Sequence, residues 1–136
     1  MRIAFGSDEA TAVTAAVQAH LRAAGHEVVL PRPEGDPWPD VGRAVGESVA
    51  GGEADTGVVC CWTGTGVSMA ANKVAGIRAA LCTDAQTAEG ARRWNDANVL
   101  ALGLRLTSEA LAAEIVDAFL ATSPNNDERE NVAKLG

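Results

Sequence analysis

Short apolar runs alternate along the whole chain with stretches in which apolar residues recur every three to four positions. The short runs predict strands over 2–6, 27–30, 56–61, 77–82 and 99–104. The longer stretches predict helices over 9–24, 40–50, 67–73, 85–93 and 108–121. Four of the five prolines fall within 31–39, which predicts an extended loop there. Repeated strand–helix alternation is typical of a three-layer α/β/α sandwich around a five-stranded, parallel, Rossmann-like sheet.

The length of 136 residues suits one domain spanning 1–136. Its polar last segment, 124–136, is predicted as a short helix or an arm. Hydrophobic residues make up 47% of the chain and aromatic residues only 4%, so the core must be mainly aliphatic.

The charge and the cysteines exclude several classes of protein. A net charge of −7 argues against nucleic acid as a partner. No apolar run approaches the ~18 residues that a membrane span needs, and the N-terminus lacks a signal-peptide pattern, so we expect a cytoplasmic protein. The cysteines suggest no disulfide framework, and only two histidines are available as partners for a metal site, so no metal is expected. The cysteines are Cys60, Cys61 and Cys82.

The carboxyl ends of the predicted strands mark the candidate site, because ligands of parallel α/β sheets bind there. This rule selects Asp8, the segment 61–66 and the pair Thr83-Asp84. Within the segment, Cys61 ends an apolar strand, and a glycine-rich turn then leads into a helix. Free amides at a helix N-terminus stabilise a thiolate or an oxyanion, as proton abstraction beside a carbonyl requires.

Other interpretations of this segment were weighed on the same residues. A buried structural cysteine beside a tight turn fits the spacing equally well. A phosphatase loop fails because Val67, not arginine, stands six residues after Cys61. A P-loop fails because no Gly-Lys-Ser/Thr follows. A flavin-phosphate loop stays open, although the chain has no tyrosine.

Five segments together resemble the ribose-5-phosphate isomerase B and galactose-6-phosphate isomerase family. They are 6–8, the glycine-rich loop with Cys61, 68–82, 95–100 and 114–118. The resemblance implies an aldose–ketose isomerase that needs no metal or organic cofactor. It implies that Cys61 moves a proton through an enediolate and that Thr63 assists ring opening or orients the sugar.

The resemblance also implies how a sugar or sugar phosphate is held. Asp8 and Asn95 would contact sugar hydroxyls. The oxyanion would be held by the backbone amides of Gly64, Thr65, Gly66 and Ser68 in the loop. The family pattern further implies a homodimer, or a dimer of dimers, with the active site at the subunit interface and Asn95 serving the partner's site.

Several positions depart from the family pattern. Glu9 and Trp94 stand where histidines are common, and Trp62 replaces a glycine. The two positions expected to carry phosphate-binding arginines hold Asp127 and Asn131, with Arg129 nearby. These changes predict a substrate other than ribose 5-phosphate. Trp62 and Trp94 would stack on a sugar or pack in an interface.

Two further hypotheses remain from these departures. The first is that the chain is an inactive sugar-binding or regulatory protein on the same fold. Alternatively, it isomerises ribose 5-phosphate, and Arg129 or a partner-chain arginine such as Arg92 or Arg93 restores the phosphate site.

Overall fold

A five-stranded parallel sheet forms the centre of the computed structural model, which describes residues 1–136. Its strands are β1 Arg2–Ser7, β2 Glu27–Val29, β3 Thr56–Cys61, β4 Ala79–Leu81 and β5 Val99–Gly103. They lie in the order β2-β1-β3-β5-β4, and every pair is parallel. The chain leaves β1 toward one side of the sheet and returns as β3 on the other. This change of direction opens a crevice at the carboxyl ends of β1 and β3.

Helices cover both faces of the sheet. They are α1 Ala12–Ala23, α2 Trp38–Ala50, α3 Thr65–Asn72, α4 Ala85–Asn95, α5 Glu109–Ala121 and the short α6 Arg129–Ala133. One apolar cluster joins the sheet to α1, α4 and α5, and a second joins it to α2 and α3. The predicted three-layer sandwich is therefore confirmed. None of these helices combines the length and the apolarity that a bilayer crossing demands.

The way each helix begins explains which backbone amides remain available. Thr11, Asp84 and Ser108 each accept a hydrogen bond from a first-turn amide of α1, α4 and α5, respectively. Gly64 stands at the corresponding position of α3 and provides no side-chain acceptor. The first amides of α3 therefore lack the side-chain cap that three of its neighbours have.

Several element boundaries differ from the predictions, and those of α1, α2, α3 and β4 matter most for the site. The first helix begins at Ala12 rather than residue 9, because Thr11 and Thr14 form a capping box. The predicted loop 31–39 was wrong at its end, since α2 begins at Trp38. Pro39 is tolerated there because a residue in the first turn of a helix needs no N–H hydrogen bond within the helix. Helix α3 begins at Thr65, two residues early, and β4 is only three residues long. The tail forms a 3-10 turn, Asn126–Glu128, followed by α6.

Candidate active site

Cys60 and Cys61 point to opposite faces of the sheet, as adjacent strand residues do. Cys60 is fully buried in the cluster with α1, α4 and α5. Burial, reinforced by the charges of Cys61, Glu34 and Asp8, raises the pKa of the Cys60 thiol far above its usual range. Cys61 is 5% exposed, on the side of α2 and α3, and it lines a cleft. Only Cys61 of this pair is in a position to meet a ligand.

A cleft of about 340 Å³ lies where the strand order opens the crevice. Its walls come from the ends of β1 and β3 and from the first turns of α2 and α3. The lining residues are Asp8, Trp38, Cys61, Trp62, Thr63, Thr65 and Gly66. The structure thus gathers six of the residues predicted from the sequence around one space and adds Trp38.

The turn between β3 and α3 is held tightly against the end of β5. Gly64 has φ +78°, and a Cβ there would lie 2.5 Å from Leu81 Cδ1 and 2.9 Å from the Gly103 amide nitrogen. Only glycine combines this backbone conformation with so close an approach. The turn places the Thr63 and Thr65 hydroxyl oxygens 2.7 Å apart at the mouth of the cleft. Together with the uncapped amides of α3, these hydroxyls form a surface suited to a developing negative charge.

Asp8 is presented by a turn that Ser7 stabilises from inside the protein. The buried Ser7 hydroxyl donates to the Glu9 carbonyl at 2.7 Å and accepts from the Glu9 amide at 3.3 Å. Asp8 Oδ1 is buried and has no hydrogen-bond partner. Burial raises the pKa of the Asp8 carboxyl above its usual range. This orphaned oxygen is available to bond a hydroxyl that enters the cleft.

Two residues near the site escaped the sequence reasoning because they come from the proline-rich loop and the helix after it. The Trp38 ring packs on Gly66, where a Cβ would lie 2.9 Å from a ring carbon. Glu34 accepts from Gln18 at 3.0 Å, while its second carboxylate oxygen is buried without a partner. The neighbouring Gly35 amide donates to the Ser7 carbonyl, so this loop covers the end of β1.

The remaining predicted residues lie elsewhere. Glu9 and Ser68 are near the cleft but do not line it. Trp94 and Asn95 are in the last turn of α4, which returns to the amino ends of the strands. Arg129, in α6, lines a second cleft of about 230 Å³ with Trp94. Since a six-residue strand such as β3 is roughly 15–20 Å long, these residues cannot reach Cys61 of their own chain.

The titratable groups do not assemble into a metal-ligand set, since no three His, Cys, Asp or Glu side chains converge. Cys82 packs in the core at the end of β4, where burial raises the pKa of its thiol to about 11. Cys61 is therefore the one thiol that this edge of the sheet offers to a ligand.

Comparison with known proteins decides the family. The family described as "Ribose/Galactose Isomerase" matches residues 3–135 of the chain. The chain belongs to the ribose/galactose isomerase family. It is 43% identical over 123 residues to ribose-5-phosphate isomerase B of Escherichia coli K12, covering 88% of this chain and 83% of that protein.

The chain is similar to two more proteins over most of its length. It is 39% identical over 107 residues to D-erythrulose-4-phosphate isomerase of Pectobacterium atrosepticum, with 78% and 70% of the two chains covered. A structure of Clostridium thermocellum ribose-5-phosphate isomerase B matches with a TM-score of 0.94 and 40% identity, over 100% of this chain and 95% of that one. The predicted family and isomerase class are confirmed, whereas the roles of individual site residues stay predictions.

Proposed function

We propose that the protein interconverts an aldose and a ketose of a phosphorylated sugar and that Cys61 is the base. The observation that carries this proposal is the position of Cys61 in the cleft, beside the uncapped first turn of α3. A thiolate and an oxyanion site on adjoining walls are the two groups that proton transfer beside a carbonyl requires.

The reaction needs no oxidant or reductant. The Cys61 thiolate takes the C2 proton of the open-chain aldose, the C–H electron pair forms the C1–C2 double bond, and the carbonyl pair moves onto O1. A proton exchanges between O2 and O1 of this enediolate. The thiol then returns its proton to C1 as O2 becomes the carbonyl. The amides of Gly64, Thr65 and Gly66, on the turn and first residues of α3, would stabilise the enediolate, and Thr63 would orient its oxygens. The Ser68 amide, which the sequence also suggested for this role, already donates to the Gly64 carbonyl at 3.3 Å.

The walls of the cleft favour a substrate other than ribose 5-phosphate. Asp8 lines the cleft and Glu9 follows it just outside the lining, while Trp62, with 56% of its surface exposed, and Trp38 line the cleft as well. Carboxylates repel a phosphate dianion, whereas indole rings stack well on sugar faces. Relatives named for ribose 5-phosphate and for D-erythrulose 4-phosphate share this fold family, so differences in the walls would select among sugar phosphates.

We further propose that each active site is completed by a second copy of the chain. Asn95 and Trp94 are exposed, and Asn95 makes no hydrogen bond through its side chain, while Cys61 lies at the opposite edge of the sheet. A homodimer, alone or within a dimer of dimers, would bring the amino ends of the strands of one subunit close to the carboxyl ends of the strands of its partner. Sugar contacts from Asn95 would then reach the partner's cleft.

Solvent-deuterium exchange followed by NMR tests this function over paired phosphorylated and free pentoses, tetroses and hexoses. Exchange at C1 or C2 is expected with at least one sugar phosphate, and Cys61→Ala is expected to lower it by about 10²- to 10⁴-fold. Cys60→Ala is the matched control, because it removes the neighbouring thiol on the other face. Unchanged exchange in the Cys61→Ala protein would remove the cysteine mechanism.

A further inference from the structure

The threonines on either side of Gly64 form a pair of hydroxyls that the fold uses for nothing else. The Thr63 and Thr65 hydroxyl oxygens are 2.7 Å apart, and either of them can be the donor. Neither hydroxyl has another hydrogen-bond partner in the chain. Since a hydroxyl has one hydrogen and two lone pairs, the pair keeps a donor and several acceptor positions for a ligand.

The backbone on both sides of the pair is held against the end of β5. Gly64 has φ +78° and no room for a Cβ, and a Cβ at Gly103 would lie 2.7 Å from the Thr63 carbonyl oxygen. Thr65 is the first residue of α3, so its backbone is fixed by the helix. Threonine is also branched at Cβ, which restricts its χ1 angle. The spacing of the two hydroxyls is therefore set by the fold before any ligand arrives.

The pair shares the cleft with few other groups that can carry a proton. Both threonines are exposed and line the cleft together with Cys61. The cleft lining contains no histidine and no lysine, and its only carboxyl belongs to Asp8. The other lining side chains are indoles or absent, since those residues are Trp38, Trp62 and Gly66. Only Asp8 and the two hydroxyls are left to serve the oxygens of a substrate.

Interconversion of an aldose and a ketose requires a proton transfer that Cys61 does not perform. Its thiol serves C1 and C2, whereas a second proton must pass from O2 to O1 of the enediolate. In a cis-enediolate the planar C1–C2 double bond holds these two oxygens at a separation close to one hydrogen-bond length. The hydroxyl pair has a matching separation of 2.7 Å, so its two oxygens and those of the enediolate can close one hydrogen-bonded ring.

We propose that the side chains of Thr63 and Thr65 form a proton relay between O2 and O1 of the enediolate. One hydroxyl accepts the O2 proton while it passes its own proton to the second hydroxyl, which gives its proton to O1. Each threonine ends with one proton, and the negative charge moves from O1 to O2, where the carbonyl then forms. Thr65 thus acts through its hydroxyl as well as its amide, and the relay rests on the proposed isomerase function.

The fate of the enediolate in deuterium oxide tests the relay. Thr65→Val keeps the shape of the side chain and removes its hydroxyl. The enediolate should still form and return to the aldose with deuterium at C2, whereas ketose formation should fall about 100-fold. The ratio of C2 deuteration to ketose formation, measured by NMR, should therefore rise by about the same factor. Thr65→Ser keeps a hydroxyl and should restore the wild-type ratio.

Two other results would overturn the relay. Equal losses of deuteration and of ketose formation in Thr65→Val would show that the hydroxyl acts before the enediolate or only on structure. A ratio that rises in Asp8→Asn but not in Thr65→Val would make Asp8 the proton carrier.

Failure of the relay is distinguishable from failure of the proposed function. If the wild-type protein neither deuterates nor isomerises any sugar phosphate, the isomerase proposal and the relay both fall. If wild type isomerises a sugar phosphate and Thr65→Val has an unchanged ratio, the relay alone fails and the isomerase proposal stands.

Discussion

The carboxyl ends of the strands (the carboxyl edge) and their amino ends (the amino edge) carry candidate functional side chains that are held in opposite ways. At the carboxyl edge, Cys61 and Asp8 are positioned by backbone that the fold itself makes rigid: a strand end, a serine-stabilised turn and a glycine without room for a Cβ. At the amino edge, Asn95, Arg93 and Arg129 are exposed side chains without internal partners. The chemistry proposed for the carboxyl edge needs precise geometry, whereas the amino edge presents donors that a bound molecule would satisfy.

Neighbouring residues at the amino edge show that this lack of partners is selective. Asn98 donates to the Gly76 carbonyl and accepts from the Arg78 amide, and Arg92 is bonded to two carbonyls. The fold thus uses Asn98 and Arg92 for structure and leaves the side chains of Asn95 and Arg93 without partners inside the chain. Substitutions at matched positions should therefore separate stability from activity.

The largest effect is expected at Gly64, and Gly76 is its counterpart at the amino edge. Both have positive φ, +78° and +86°, but only Gly64 lacks space for a Cβ. Gly64→Ala should lower the free energy of unfolding by about 2–4 kcal/mol, from backbone strain plus overpacking, and remove exchange activity. Gly76→Ala should cost only about 1 kcal/mol, from strain alone. Denaturant unfolding measures both, and equal losses would contradict the tight packing assigned to the turn.

Asn95 and Asn98 should divide activity from stability. Asn95→Ala is expected to change the free energy of unfolding by about 0.5 kcal/mol or less, because nothing inside the chain is lost. It should lower sugar exchange by about 10- to 100-fold through the missing sugar contact. Asn98→Ala should cost about 1–3 kcal/mol of stability by leaving the Arg78 amide unpaired. Thermal and chemical unfolding, measured together with exchange rates, test both variants. A destabilised Asn95→Ala protein with normal exchange, beside a stable Asn98→Ala protein, would refute this assignment.

Asp8→Asn should produce the smallest change in stability, and its sign is unusual. Burial raises the pKa of the folded-state carboxyl, so its ionised form disfavours folding above that pKa and has no such effect below the unfolded value of about 3.8. Asparagine should thus stabilise the protein slightly at pH 7, and the gain should vanish toward pH 3. Sugar exchange should nevertheless fall.

Asp84→Asn is the control with the opposite sign. Hydrogen bonds from Thr87 lower the pKa of the Asp84 carboxyl at the start of α4, so its charge stabilises the fold at neutral pH. This variant should lose stability at pH 7 and match wild type at low pH. Unfolding curves across pH 3–7 test both, and a destabilised Asp8→Asn protein at neutral pH would contradict the cost of burying Asp8.

The carboxyl edge was far more accessible to sequence reasoning than the amino edge. Alternating strands and helices predict a parallel sheet, and the strand-end rule then finds Asp8 and the segment 61–66 without further information. Trp38 was missed because its contact with Gly66 joins segments distant in the chain. Which of the adjacent Arg92 and Arg93 is bonded inside the fold depends on side-chain direction at the end of a helix, which periodicity does not specify.

Mixed dimers test most directly the claim that one active site takes its two halves from two chains. Co-expression of Cys61→Ala and Asn95→Ala chains with different tags, followed by two-tag purification, yields dimers in which one of the two sites has neither substitution. Such dimers should recover about half the wild-type exchange rate, far above either variant alone. Cys61→Ala paired with Asp8→Asn should show no recovery, because both changes affect the carboxyl edge. Absence of recovery in the first pairing would contradict the shared site and place Asn95 outside it.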